Sequence, residues 1–177
     1  MAKPWTIPRL SAETTAAHAA AQILPVRLAE AWSWVRAVKR HRDPRTLHDL
    51  RISVRRLRYS MEIYAPSFGG PLLVAIDEVK RAQDLLGRLH DGDVALQYLE
   101  QYRAADDQAF RPARPPHSRA AARIRTEQGA LEKIAETYRR ERDELYPEFL
   151  KYWSQIGRQR LRARVLRFLK ESARPGT

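Results

Sequence analysis

Cysteine is absent from all 177 residues. That excludes a disulfide scaffold, cysteine-ligated zinc and iron–sulfur sites, and a thiol nucleophile. No apolar run approaches the ~20 residues needed to span a bilayer. The first ten residues hold Pro4 and Pro8 and no signal-peptide core, so the expectation is a soluble, cytoplasmic protein. Strand signals are equally scarce, with no sustained alternation and no Asn-Gly or Asp-Gly turn between apolar runs. Catalytic loops are missing too: there is no Gly-x-x-x-x-Gly-Lys-Ser/Thr, no Gly-x-Ser-x-Gly and no His-Glu-x-x-His. The five histidines (His18, His41, His48, His90, His117) show no local metal spacing, so no metal and no cofactor is expected. A phosphotransfer histidine usually stands among one or two lysines, whereas His48 stands in a ladder of arginines. The chain is expected not to be an enzyme.

What the chain has in excess is positive charge. Lys plus Arg number 33 against 21 Asp plus Glu, a net of +12, while 44% hydrophobic residues are enough to build a core. The charge is clustered. Residues 36–58 hold nine basic and two acidic side chains, and residues 151–170 hold seven basic and none acidic, leaving a near-neutral remainder. Two local patches of this kind suit a polyanion better than they suit general solubility. Arg outnumbers Lys 27 to 6. A guanidinium fork pairs bidentately with phosphate oxygens, whereas an ammonium is a point charge, although a GC-rich genome raises the ratio as well.

Helical periodicity fills the chain. Ser11 is placed to cap a first helix over 11–40, with Pro25 kinking it. Asp43-Pro44 reads as an N-cap followed by proline at the first helical position, opening a second helix that should stop before Pro66. A turn at 68–71 leads to a third helix over about 71–104. A proline-rich loop occupies 106–117, and a long helical stretch over 118–172 is expected to break at Pro147. The predicted architecture is a single all-α domain over 1–177, an antiparallel bundle of about five long helices.

Two of these helices carry chemistry. At roughly 100° per residue, Leu50, Val54, Leu57, Met61 and Tyr64 form one stripe of the second helix. His48, Arg51, Arg55 and Arg58 form an adjacent stripe extending over about 15 Å. Like charges at this spacing repel by a few tenths of a kcal/mol per pair. Either acids on a neighbouring helix or a bound polyanion must neutralise them. On the third helix, Val79, Ala82, Leu86 and Leu89 form the core stripe, and Lys80, Gln83, Gly87 and His90 share another. A glycine inside a helix costs about 1 kcal/mol against alanine, so Gly87 suggests close approach of another helix or a ligand.

These two segments resemble the CHAD family, the conserved histidine α-helical domains. The family's His-x-x-Arg-x-x-x-Arg-x-x-Arg helix is matched by His48, Arg51, Arg55 and Arg58. Its Leu-Gly-x-x-(Arg or His)-Asp-x-x-Val segment is matched by Leu86, Gly87, His90, Asp91 and Val94. The resemblance is strong over 47–99 and loose elsewhere. It implies a CHAD-like helical bundle that binds inorganic polyphosphate without cutting it, often at polyphosphate granules. On that resemblance and the basic patches, the expected polyphosphate-binding residues are His48, Arg51, Arg55, Arg56, Arg58, Lys80, Arg88, His90, Arg160 and Arg164. Typical members carry the basic motif twice, whereas it occurs here once, and a two-fold homodimer would supply a second copy. Two other functions remain open: an RNA- or DNA-binding protein using the same faces, and a scaffold docking on an acidic partner. The aromatics look mainly like core and no nucleic-acid motif is present, which disfavours nucleic acid. No exposed apolar face is identified on the basic helices, which disfavours a membrane surface.

Overall fold

The computed structural model describes residues 3–40, 42–110, 119–158 and 160–172. Among these residues there is no strand. The chain runs through α1 (Ala16–Ser33), α2 (Val35–Arg40), α3 (Pro44–Phe68), α4 (Gly70–Phe110), α5 (Arg119–Arg158) and α6 (Leu161–Ser172). The all-α expectation holds, with four of the six helices long. The residues divide into two compact units, one of Met1–Gly87 with Glu148–Thr177, the other of Arg88–Pro147.

The local chemistry explains where these helices begin and end, and where the sequence misplaced an end. Ser11 does not cap α1, because it is engaged with Thr14: its amide donates to Thr14 Oγ1 at 3.0 Å. Thr15 caps instead, accepting from the His18 amide at 3.3 Å. The helix passes through Pro25 and is interrupted at Trp34, which separates α1 from the short α2. The Asp43-Pro44 start of α3 is as expected, with Asp43 Oδ1 accepting from the Thr46 amide at 2.9 Å. Hydrogen bonds from the Thr46 side chain and then its backbone hold the Asp43 carboxyl below its ordinary range.

Pro66 does not stop α3. In a last turn its missing N–H removes a single intrahelical bond, and the helix ends at Gly69, whose φ of 67° and amide bond to Ala65 O at 3.0 Å form the cap. Pro147 likewise lies inside α5, between the buried Leu145 and Phe149, and the break falls near Arg160 at a φ of 55°. Of the loop expected at 106–117, residues 106–110 are helical instead, since α4 continues to Phe110. Residues 106–110 contain no helix breaker, and the first proline is Pro112. Residues 111–118 lie outside the described residues, as does His41.

In the larger unit the predicted stripes are the core. Leu50, Val54, Leu57 and Met61 of α3 are fully buried, as are Leu24 and Leu28 of α1 and Ala82 of α4. Burying each large apolar side chain contributes about 1.5–3 kcal/mol. Phe149, Trp153 and Ile156 of α5 and Leu161, Val165 and Leu169 of α6 complete it. The Trp153 ring lies 5.0 Å from Trp32 and 6.0 Å from Phe149, and Phe68 meets Phe168 edge-on at 5.5 Å.

One charged cluster enters this core. Glu30, 1% exposed, accepts from Arg27 Nη1 at 2.6 Å and from Arg56 Nη1 at 2.7 Å. Nearby, the Trp34 indole donates to Ser53 Oγ at 3.1 Å, and that hydroxyl donates to the Asp49 carbonyl at 3.1 Å. Both contacts tie one side of α3 to α1 and its end, and so fix the rotation of α3 about its own axis.

The smaller unit pairs the second part of α4 with the first part of α5. Arg88 donates to Glu141 at 3.0 Å, Arg142 to Asp93 at 2.5 Å, and Arg103 and Arg139 both to Glu132. From Arg88 and Asp93 to Arg103 along α4, the partners step back from Glu141 and Arg142 to Glu132 along α5, so the two helices are antiparallel. Hydrogen bonding from Arg139 holds the Glu132 carboxyl below its ordinary range, against a smaller desolvation effect.

Candidate polyanion-binding face

The rotation of α3 places its arginines in two different surroundings. Arg56 turns to Glu30 and is locked in the buried cluster. Arg51, Arg55 and Arg58 lie on another side of the helix. Arg55 is exposed and has no ion pair among the described residues. Arg51 is half-buried, with its Nε shielded from water and lacking a hydrogen-bond partner among the described residues. Arg58 is also half-buried; its Nε lies 3.4 Å from Glu62 Oε1, a contact without hydrogen-bond geometry, and its guanidinium lies 4.8 Å from the centre of the Tyr59 ring. His48 stands half-buried at the start of the row and has an interaction of its own. An unpartnered buried donor costs about 1–3 kcal/mol, so Arg51 and Arg58 are primed to gain an acceptor.

The remaining predicted residues scatter. Lys80 is exposed on α4 within the larger unit. Arg164 of α6 pairs with the Glu78 carboxylate, and Arg160 is exposed at the α5–α6 turn. Arg88, paired with Glu141, and His90, half-buried, belong to the smaller unit. The helical angles of α3 bring His48, Arg51, Arg55 and Arg58 to one face, and Arg56 is not part of it.

The sequence left three other features unassigned. Gln83 of α4 has a buried Oε1 without a hydrogen-bond partner among the described residues. Arg81 lies 4.8 Å from the centre of the Tyr152 ring, whose hydroxyl donates to the Glu78 carbonyl at 2.9 Å. Burial, reinforced by Glu78 and opposed by Arg81, raises the Tyr152 phenol above its ordinary range. The tyrosines are also less buried than their periodicity suggested. Tyr59, Tyr98 and Tyr102 are exposed, and Tyr59 with Ile63 gives the basic helix an apolar edge that the sequence had not revealed. Among the described residues no other helix approaches Gly87 closely, since a methyl group built there meets no atom within 4 Å.

The described residues thus form an all-helical protein with a row of arginines on one helix beside the stripe that forms its core. The family model of the CHAD domain matches residues 2–100, which include α1 to α3 and most of α4, and the chain belongs to this family. CHAD domains as a class bind polyphosphate. No curated protein and no solved structure matches the chain. Among the described residues, no helix is long and apolar enough to cross a membrane, and no group of three or more metal-ligating side chains is present.

Proposed function

We propose that this protein binds inorganic polyphosphate, without cutting it, along the arginine row of α3. Arg51, Arg55 and Arg58 are the principal contacts, with His48 at one end of the row. Lys80 and Arg160 extend the basic surface of the same unit, and Gln83 offers an amide. The carrying observation is the state of the row. Among the described residues, Arg55 is exposed without an acid, and Arg51 and Arg58 have a shielded Nε without a hydrogen-bond acceptor. Successive phosphates along a polymer would meet several of these forks, each a charge-assisted contact. Arg56 and Arg164, held by Glu30 and Glu78, act as structural ions rather than contacts. Binding of this kind suits a place at polyphosphate granules in the cytoplasm.

Tyr59 supports a second reading, as an RNA- or DNA-binding protein. Tyr59 is 49% exposed beside the arginine row, where a base could stack on its ring. Competition between long-chain polyphosphate and single-stranded RNA for the purified protein at physiological salt separates the two. Polyphosphate should displace RNA at lower phosphate concentration, and affinity should fall steeply with added salt as counterions are released. Preference for RNA, or affinity independent of salt, overturns the proposal. Orthophosphate released from polyphosphate by the pure protein, and lost in His48→Ala, overturns its non-catalytic part.

A further inference from the structure

The net charge is confined to one unit. Residues 88–147 contain eleven basic and eleven acidic side chains, so the whole +12 belongs to the other unit. The smaller unit as a whole therefore carries no net charge to draw a polyanion, its five arginines at 111–125 being offset by acids elsewhere in the unit. It has an apolar reason to meet something else. Its antiparallel rungs bring Tyr98 and Tyr102 of α4 to the level of Leu131 and Ile134 of α5. Tyr98 is 68% exposed, Tyr102 59% and Ile134 46%. An open groove of about 520 Å³, lined by Tyr98, Leu99, Gln101, Tyr102 and Leu131, runs along this level.

Two helices have only one face to hide against each other. Among the described residues of this unit, Leu89, Gly92, Ala135 and Leu145 are buried. Stable helical bundles close with further helices, and a contiguous exposed apolar patch marks an interaction surface.

We infer that the smaller unit is a self-association module, in which the Tyr98–Tyr102–Leu131–Ile134 face packs against the same face of a second copy to close a four-helix bundle. Charge selects the occupant. A two-fold interface sets each residue against its own surroundings, so a face with net charge repels itself, and a neutral apolar one does not. Here the acids and bases are equal in number, and Glu132, Glu141 and Asp93 are already satisfied within the unit. That leaves little net field to attract an acidic or a basic partner. The dimensions fit as well. At ~1.5 Å per residue and ~10 Å per helix, residues 88–110 beside their α5 counterpart present roughly 34 by 20 Å, or about 700 Å². A standard interface takes about 800 Å² from each partner.

Sedimentation velocity of the full chain tests this. Micromolar protein should sediment with twice the 20.5 kDa chain mass, and its melting temperature should rise with concentration. In a Tyr98→Glu, Ile134→Glu double variant that keeps its helical circular dichroism, dimer dissociation should strengthen by roughly a hundredfold or more, as for the loss of two central anchors. If that variant unfolds, Tyr98→Ser replaces it, and the mass of the unmodified chain still decides. Arg51→Ala should leave the dimer intact, so failure of polyphosphate binding and failure of self-association are separable. A 20.5 kDa species throughout the micromolar range, or an unweakened dimer in the folded double variant, overturns the inference.

Discussion

Replacing Arg51 and Arg55 together by alanine separates ligand contacts from structural ions. Arg55 is exposed and, among the described residues, unpaired, so its loss removes repulsion of a few tenths of a kcal/mol from each arginine three or four positions away. Arg51 carries a shielded, unpartnered Nε. Deleting it relieves about 1–3 kcal/mol of desolvation, offset by lost packing of its aliphatic stem. The double variant should therefore fold with a stability within about 1 kcal/mol of the parent, a change in melting temperature of no more than ~4 °C. Binding should respond very differently. Two charge-assisted contacts of about 1.5–3 kcal/mol each correspond to a loss of roughly two to four orders of magnitude in affinity. The slope of log affinity against log salt should fall by about 0.7–0.9 for each phosphate contact removed, if polyphosphate releases counterions as nucleic acids do. Isothermal titration with a short polyphosphate, repeated over a salt series and paired with thermal melts, reads both quantities. A variant that melts more than ~10 °C lower yet binds normally with an unchanged slope would refute the assignment, because the row would then be part of the fold.

Glu30→Gln should destabilise the protein by about 3–5 kcal/mol in urea unfolding, since it strands Arg27 and Arg56 without their carboxylate. Arg56→Ala should cost stability but leave polyphosphate affinity unchanged, because Arg56 faces Glu30 and not the row. Gly69→Ala should cost about 1–3 kcal/mol, as a φ of 67° with ψ of −144° is open to glycine almost alone, and thermal melting measures it. Asp43→Ala should cost about 1 kcal/mol at neutral pH through loss of the cap. The folded carboxyl of Asp43 is held below its ordinary value of 3.8, so its contribution is complete above that value and disappears as the pH falls through the lowered one. The stability difference between parent and variant, followed by acid titration, should shrink accordingly.

What the sequence made legible depended on how far apart the interacting residues are. The start of α3 was readable because the cap is entirely local, Asp43 to Thr46. The core stripes of α3 and α4 were readable because hydrophobic periodicity records which side faces inward. The ion pairs of Arg56 and Arg164 were not legible, because Glu30 lies 26 positions from the one and Glu78 lies 86 from the other. Helical angles separate Arg56 from the row, but nothing local says which side a neighbouring helix will cover. Pro66 and Pro147 were read as stops from backbone chemistry alone, whereas Gly69 and the packing around Leu145 and Phe149 govern the outcome. The division into two units was not foreseen, although Gly87 and Pro147, two poor helix formers, stand at its boundaries.

The Glu30 cluster has a consequence for how such a protein can change. Because the azimuth of α3 is set from inside, by a carboxylate on another helix, the outward row has no part in holding its own direction. Residues on that row can be exchanged, one cation for another or a cation for a hydroxyl, while the helix keeps its seat. The interior enforces the opposite rule. A one-residue turn of α3, about 100°, would carry Arg56 away from Glu30 and leave a buried carboxylate with half its partners. Selection for a different anion would therefore be expected to rewrite Arg51, Arg55 and Arg58 long before it touched Arg27, Glu30 or Arg56.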